Sequence, residues 1–242
     1  MRRILLVAAT EMEIAPTLAY LSEFWTSAGG KRLEKTTNTI DFHFQKNQTQ
    51  IRILITGVGL TATAFALGRE PQFPAYDLAI QAGIAGAIDR SLALGQLVRV
   101  ATDRFADLGA EDRDGRLIDL QELGFLPEGA NSPFNQDGTL SPLDADSQSK
   151  LIDLPAVHGI SVNKVHGSEG SISLLREKYP QAQVESMEGA AFFYACYMMG
   201  WPALQLRTIS NYVEARDKGR WEIGEAVEGL NAGVINLIKL LR

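Results

Sequence analysis

Two short segments of this chain place differently suited polar groups where elements begin and end. Val184-Glu185-Ser186-Met187-Glu188-Gly189-Ala190-Ala191 sets a carboxylate at the entry to an apolar helical run, and Arg207-Thr208-Ile209-Ser210-Asn211 ends an apolar strand-like run on an amide. A carboxylate accepts from two neighbouring hydroxyls, and a carboxamide both donates and accepts, so the pair suits a sugar diol joined to a heterocyclic edge. That combination is a nucleoside. A third segment, Thr10-Glu11-Met12-Glu13, follows the first apolar run, where carboxylates are costly unless solvated or partnered. Glu11 reads as a helix N-terminal acid favoured by the macrodipole. Glu13, sharing a cleft with Glu188, gives two carboxylates that can divide the work, one as general base on a water and one as a sugar ligand.

Each residue also has an ordinary reading. Glu188 near a helix start complements the dipole, Asn211 suits a strand-end turn, and Arg207, Arg216 and Arg220 suit surface charges. Gly57-Val58-Gly59 and Gly83-Ile84-Ala85-Gly86 read as tight turns. Their backbone N–H groups can cradle a phosphate at a helix start, but neither fits the P-loop or dinucleotide fingerprint.

The elements that must position these groups follow from patterning. Unalternating apolar runs at residues 4–9, 51–55, 78–82, 97–101 and 203–209 suit strands buried on both faces. Helix-like segments lie between them at 11–27, 60–69, 171–178, 187–199 and 221–241. This alternation implies a largely parallel central sheet with helices on both sides. Residues 39–45 alternate polar and apolar and join the next run through a polar linker at 46–50, which predicts an antiparallel hairpin and makes the sheet mixed. Ligands bind beyond the carboxyl ends of such strands, so residues 10–13, 56–60, 83–87 and 210–211 should converge. Residues 107–149 are rich in Gly, Pro, Asp, Asn and Ser with little periodicity, as in a lid, an interface arm or a disordered excursion. No repeat or linker divides the chain, so residues 1–242 are expected to form one domain.

Composition narrows the function classes. The 242 residues are 45% hydrophobic and 21% charged with a net charge of −6, which suits one soluble α/β domain with a substantial core. No Lys/Arg cluster offers a surface for nucleic acid or an anionic membrane, and no run approaches the ~20 apolar residues of a membrane span. Met1-Arg2-Arg3 and the run after it fall short of a signal peptide, because the run is brief and acids follow at once. Cys196 is the sole cysteine, so neither a disulfide framework nor a thiolate metal site is expected, and a reducing, cytoplasmic setting is. His43, His158 and His166 lack paired metal-ligand spacing and default to core or surface roles.

Ser186-Met187-Glu188-Gly189-Ala190-Ala191 and Arg207-Thr208-Ile209-Ser210-Asn211 resemble the ribose-binding and base-binding signatures of the purine nucleoside phosphorylase and methylthioadenosine/S-adenosylhomocysteine nucleosidase superfamily. The resemblance covers nearly the whole chain, since the first strand with Thr10–Glu13, Thr56-Gly57-Val58-Gly59, Gln81-Ala82-Gly83-Ile84-Ala85-Gly86 and Tyr179-Pro180-Gln181 occur in the family's order. Within that superfamily, Ser210-Asn211-Tyr212-Val213-Glu214-Ala215-Arg216-Asp217, running on through Lys218-Gly219-Arg220-Trp221, most resembles the futalosine hydrolase family. The resemblance implies a nucleoside phosphorylase-like α/β fold, three-layer α/β/α with a central twisted mixed sheet. It also implies a reaction without cofactor or metal, a small-molecule nucleoside partner and a homodimer or higher homo-oligomer. The activity implied is cleavage of futalosine into hypoxanthine and dehypoxanthinyl futalosine, in menaquinone biosynthesis.

Carried onto this chain, the resemblance makes Glu13 the water-activating carboxylate, and makes Met187 and Glu188 the residues that pack on and bind the ribose. Ile84, Ala85, Gly86, Val165 and His166 complete the substrate-binding set, His166 lying near the family's base-contacting loop. Asn211 stands where adenine-specific nucleosidases have a base-protonating aspartate. An amide offers both an acceptor and donors, which fits a 6-oxopurine such as hypoxanthine and argues against direct Asp-type acid catalysis. Arg216, Lys218 and Arg220 are candidates for the carboxylate of futalosine, with Trp221 or Phe105 as a stacking surface. Phosphate carries roughly −1.5 to −2 charge, so the acidic loop at residues 10–13 favours water over phosphate as the nucleophile. The competing readings are a methylthioadenosine/S-adenosylhomocysteine nucleosidase, a general inosine hydrolase, and a non-catalytic purine nucleoside-binding protein, which would lack Glu13 or Glu188.

Overall fold

The structure, a computed structural model, describes residues 2–27, 32–35, 39–44, 49–71, 75–127, 129, 132–144 and 152–241. In chain order the elements are β1 (Arg2–Ala8), α1 (Glu11–Ser27), β2 (Arg32–Lys35), β3 (Thr39–Phe44), β4 (Thr49–Ile55), α2 (Leu60–Gly68), β5 (Leu78–Ala87), β6 (Leu97–Thr102), β7 (Gly109–Glu111), β8 (Leu117–Asp119), β9 (Ala156–Ser161), α3 (Glu169–Lys178), β10 (Val184–Ser186), α4 (Gly189–Met199), β11 (Ala203–Tyr212) and α5 (Ile223–Leu241). Nine strands form one sheet in the order β10-β9-β6-β11-β5-β1-β4-β3-β2. β1 runs parallel to β4 and β5, and β11 parallel to β5, while β3 is antiparallel to β4 and β6 antiparallel to β11. The sheet is therefore mixed, and the hairpin expected at residues 39–45 is β3 with β4.

The apolar runs have no polar face because both faces of the sheet are covered. Along β1, Leu5 and Val7 belong to one core cluster with α2 and α4, through Leu60, Leu67, Phe192, Phe193 and Cys196. Ile4, Leu6 and Ala8 point the other way, into a cluster with Ile14 and Leu21 of α1 and Leu230, Val234, Leu237 and Ile238 of α5. Successive strand side chains alternate between faces, and each fully buried Leu, Ile or Phe contributes about 1.5–3 kcal/mol. The result is three layers, α/β/α. Among the described residues no helix is long and apolar enough to cross a membrane.

Two strands run further than their apolar cores suggest. Gly83-Ile84-Ala85-Gly86 is not a turn: β5 continues through it to Ala87. β11 likewise carries Ser210 and Asn211 inside the strand, with a register shift between Ile209 and Asn211. These extensions have a partner that the sequence pattern did not reveal. The three-residue β10 pairs antiparallel with the end of β5, Val184 with Ala87 and Glu185 with Gly86. Strands β5, β11, β6, β9 and β10 thereby close into a ring. β9 and β10 escaped notice because one is interrupted by His158 and Gly159 and the other is three residues long; β2 was also unforeseen. The 107–149 segment is not featureless: it contains the β7–β8 hairpin and the buried Leu140, whose backbone bridges to Asp103. The expected linker at 46–50 is described only from Thr49, and the side chains of His43 and Lys218 lie outside the described residues.

Candidate active site

A cavity of about 340 Å³ opens at the carboxyl ends of β1, β5, β10 and β11. Its wall includes Glu13, Ile84, Ala85, Gly86, Val165, His166, Met187, Glu188, Asn211, Arg216 and Trp221, all read from the sequence as site residues. The volume lies within the roughly 300–1,000 Å³ usual for small-molecule pockets.

Glu13 is fixed by the start of α1. The backbone N–H and hydroxyl of Thr10 donate to Glu13 Oε2 at 3.0 and 3.1 Å, and Thr10 Oγ1 accepts from Glu13 N at 3.4 Å, a capping box. The other carboxylate oxygen accepts from Ile84 N at 3.3 Å on β5. Glu13 is only 7% exposed. Burial holds its carboxyl above the ordinary range; the Arg207 guanidinium opposes this, the Glu188 carboxylate adds to it, and the two backbone donors oppose it.

Glu188 precedes α4 but makes no side-chain cap of that helix. Its carboxylate reaches instead to Gly59 N at 3.1 Å and to Arg207 Nη1 at 3.4 Å. Gly59 has φ of 98°, a conformation that disfavours side-chain-bearing residues, which is how this turn presents its N–H to the cavity.

Arg207 is not a surface charge. It is 1% exposed, and its guanidinium also donates to Ile84 O at 3.4 Å, Gln81 Oε1 at 3.0 Å and Gln205 Oε1 at 3.1 Å. Gln205 in turn donates to Asp103 Oδ2 at 3.2 Å. Glycines make room for this network: a Cβ on Gly83 would meet Arg207 Nη1 at 2.4 Å, and one on Gly189 would meet Asp103 Oδ2 at 2.1 Å. Sequence reading took Arg207 for a surface charge and gave no role to Gln81, Gln205 and Asp103. The available signal was two glutamines inside otherwise apolar strands, since buried amides require partners.

At the other end of the cavity, Asn211 Oδ1 accepts from Ser210 Oγ at 2.8 Å and its Nδ2 donates to Tyr212 O at 3.0 Å. Glu185 accepts from His166 N at 3.0 Å through one oxygen and is paired with His166 Nδ1 through the other. The Arg216 guanidinium lies over the Trp221 ring, 5.2 Å from its centroid. Two further candidates fall elsewhere. Arg220 pairs with Glu214 at 2.8 Å, and Phe105 packs off the cavity wall, because Phe134 of the 107–149 segment and Tyr194 of α4 supply it with apolar partners.

Asp103 makes the network sensitive to pH. Burial pushes its carboxyl up to about 6, against the pull of Arg207, Ser161, Gln205 and the Arg104 N–H. A carboxyl whose folded pKa is raised stabilises the fold below the ordinary Asp range, and that contribution is lost as pH rises toward about 6. The loss is about 3 kcal/mol, from a shift of roughly two pK units. Denaturant unfolding at stepped pH should show this slope in the wild type and its absence in Asp103→Asn. Equal slopes in both would contradict the assignment.

Comparison with known proteins gives the family and the fold. The pattern of the phosphorylase superfamily matches residues 3–242. Futalosine hydrolase of Streptomyces coelicolor is 35% identical over 166 residues, covering 69% of this chain and 67% of that protein. Futalosine hydrolase of Thermus thermophilus is 32% identical over 190 residues, 76% of this chain and 80% of that protein. The structure of futalosine hydrolase of Helicobacter pylori superposes with a TM-score of 0.75 at 17% identity, covering 98% of this chain and 97% of that one, and so shares the fold. The chain belongs to the phosphorylase superfamily and, within it, to the futalosine hydrolase family.

Proposed function

We propose that this chain hydrolyses the N-glycosidic bond of futalosine, releasing hypoxanthine and leaving dehypoxanthinyl futalosine, as a cofactor-free, cytoplasmic step of menaquinone biosynthesis. The observation that carries the reading is the pair of buried carboxylates, Glu13 and Glu188, set about one guanidinium in a cavity whose far end bears the neutral amide of Asn211. Two carboxylates against one fixed cation leave the sugar end negative. That field repels a phosphate dianion and suits a ribose that gains positive charge as its bond to the base stretches.

In this reading Met187 packs on the ribose and Glu188 holds its hydroxyls. The departing base is supported by Asn211. Glu13, whose carboxyl is held high, takes a proton from the attacking water. Its pKa elevation makes it a stronger base than an ordinary Glu once ionised, and it sets an acid limb: turnover rises with pH as Glu13 loses its proton. Arg216, seated on Trp221, faces the cavity and is the cation assigned to the carboxylate of futalosine, with Trp221 as the aromatic platform. The reading takes residues 1–242 as one domain acting in a homodimer or higher homo-oligomer.

Product analysis tests the reading directly. Incubated with futalosine, methylthioadenosine and inosine, with and without phosphate, the protein should release hypoxanthine from futalosine at a rate independent of phosphate. Release of adenine from methylthioadenosine as the preferred reaction would redirect it to the nucleosidase alternative. Glu13→Gln should lower kcat by about 10²–10⁴-fold with KM nearly unchanged, and full turnover in that variant removes the assigned base. Arg216→Ala should raise KM for futalosine about tenfold while leaving inosine, which has no carboxylate, unaffected, as expected for loss of one exposed charge-assisted contact worth roughly 1–2 kcal/mol. Parallel changes on both substrates would argue against a carboxylate contact.

A further inference from the structure

We propose that Glu185 and His166 form an acid dyad that gives the departing purine its proton. This rests on the hydrolytic reading above and fills a gap in it. An amide cannot supply a proton, yet the base must leave either as an anion or protonated, and Asn211 occupies the position nearest to hand.

The register of β5 separates the cavity into two polar ends. A Cβ on Gly83 would meet both the Arg207 guanidinium and Glu13, and the next residue, Ile84, donates to Glu13. Three residues on, Gly86 is the register partner of Glu185 on β10 and of Asn211 on β11, and a Cβ on it would meet Asn211 Nδ2 at 3.2 Å. At about 3.3 Å per residue the two ends lie about 10 Å apart along the strand. The titratable side chains on the cavity wall are Glu13, His166, Glu185, Glu188 and Arg216. Glu13 and Glu188 belong to the sugar end, and a guanidinium does not give up its proton in proteins. His166 with Glu185 is what remains at the base end.

The pair is built to hold one tautomer. Glu185 is buried, and its two oxygens are engaged by the N–H and Nδ1 of the same residue, His166. A carboxylate offers only acceptors there, so Nδ1 carries hydrogen and Nε2 is the nitrogen left for the cavity. Among the described residues Nε2 has no hydrogen-bond partner. Arg216, on the segment after β11, shares the cavity wall with His166, and the charged neighbours in sequence, Lys164 on its loop and Glu169 at the start of α3, are exposed. The loop is tied to the Asn211 side of the cavity by Arg216 N donating to Gly167 O at 3.1 Å.

The step balances. As the C–N bonding pair passes to the purine, the imidazolium Nε2–H gives its proton to the ring, which leaves as neutral hypoxanthine. Water adds to the sugar cation and loses a proton to Glu13. Glu13 returns that proton to solvent and His166 takes one up, so one water is divided between sugar and base.

The test is the pH profile of kcat on futalosine for the wild type, His166→Asn and Glu185→Gln. The wild type should lose turnover on the alkaline side of its profile, as a reaction that draws a proton from an enzyme acid does. His166→Asn should fall about 10²-fold, keep KM within about threefold, and lose that alkaline limb while retaining the acid limb set by Glu13. Glu185→Gln, which preserves shape but not charge, should lower kcat in the same direction. Unchanged kcat in His166→Asn, a loss confined to KM, or an alkaline limb that is absent in the wild type or persists unaltered in the variant overturns the dyad. Failure of the underlying reading is separate: it shows in the wild type alone, as no phosphate-independent release of hypoxanthine.

Discussion

The Arg207 guanidinium is the group on which the site's geometry depends. It is buried in a sheet whose faces are largely apolar, and an unpartnered charge there would cost several kcal/mol. The fold answers with two glutamines, a strand carbonyl and the Glu188 carboxylate. Gln205 is in turn held by Asp103, and Asp103 by Ser161 Oγ and Arg104 N. Glu188 is thus oriented by a chain of hydrogen bonds anchored just beyond β6 and in β9 and β11, not by its own helix. Removing any member leaves a buried polar group unpaired, which is why glycine is required at 83 and 189, where even a methyl group would enter the network.

Closure of the ring by β10 has a second consequence. A strand that stopped at Ala82 would have offered one rim to the cavity. Extended to Ala87 and paired on both sides, β5 instead becomes a ruler along which two chemically distinct ends are set. Acidic groups around a fixed cation occupy one end, and an amide with a carboxylate–imidazole pair occupies the other. The same three residues that pair β10 with its neighbours, Val184–Ser186, carry Glu185 inward and deliver Met187 and Glu188 to the cavity. Strand pairing and ligand positioning are one structural feature here.

This explains what was legible in the sequence. Glu13 and Glu188 were legible because each stands where an apolar run gives way to a helix, a short-range signal, and because both match motifs of the family that the chain resembles. The convergence of residues 10–13, 83–87 and 210–211 followed from the general placement of ligands at strand ends. Arg207, Gln81, Gln205 and Asp103 were not found, because their partners lie in strands distant in sequence and their burial depends on register. The ring closure was equally invisible: three residues of β10 contain too little pattern to announce a strand, and Gly83 and Gly86 read as turn residues when taken without their neighbours.

The charge arrangement bears finally on why water and not phosphate should be the nucleophile. A phosphate pocket needs cations with donors free to receive the anion. The Arg207 guanidinium has its donors committed to Gln81, Gln205, Ile84 and Glu188, and the donors of Gly59 and Ile84 already serve carboxylates. An incoming dianion would have to displace a neutral oxygen of Gln81, Gln205 or Ile84, or the carboxylate of Glu188 or Glu13, from one of these contacts while standing beside those same carboxylates of its own sign. Water has neither cost. It needs only an acceptor of raised basicity, and burial of Glu13 beside Glu188 produces one.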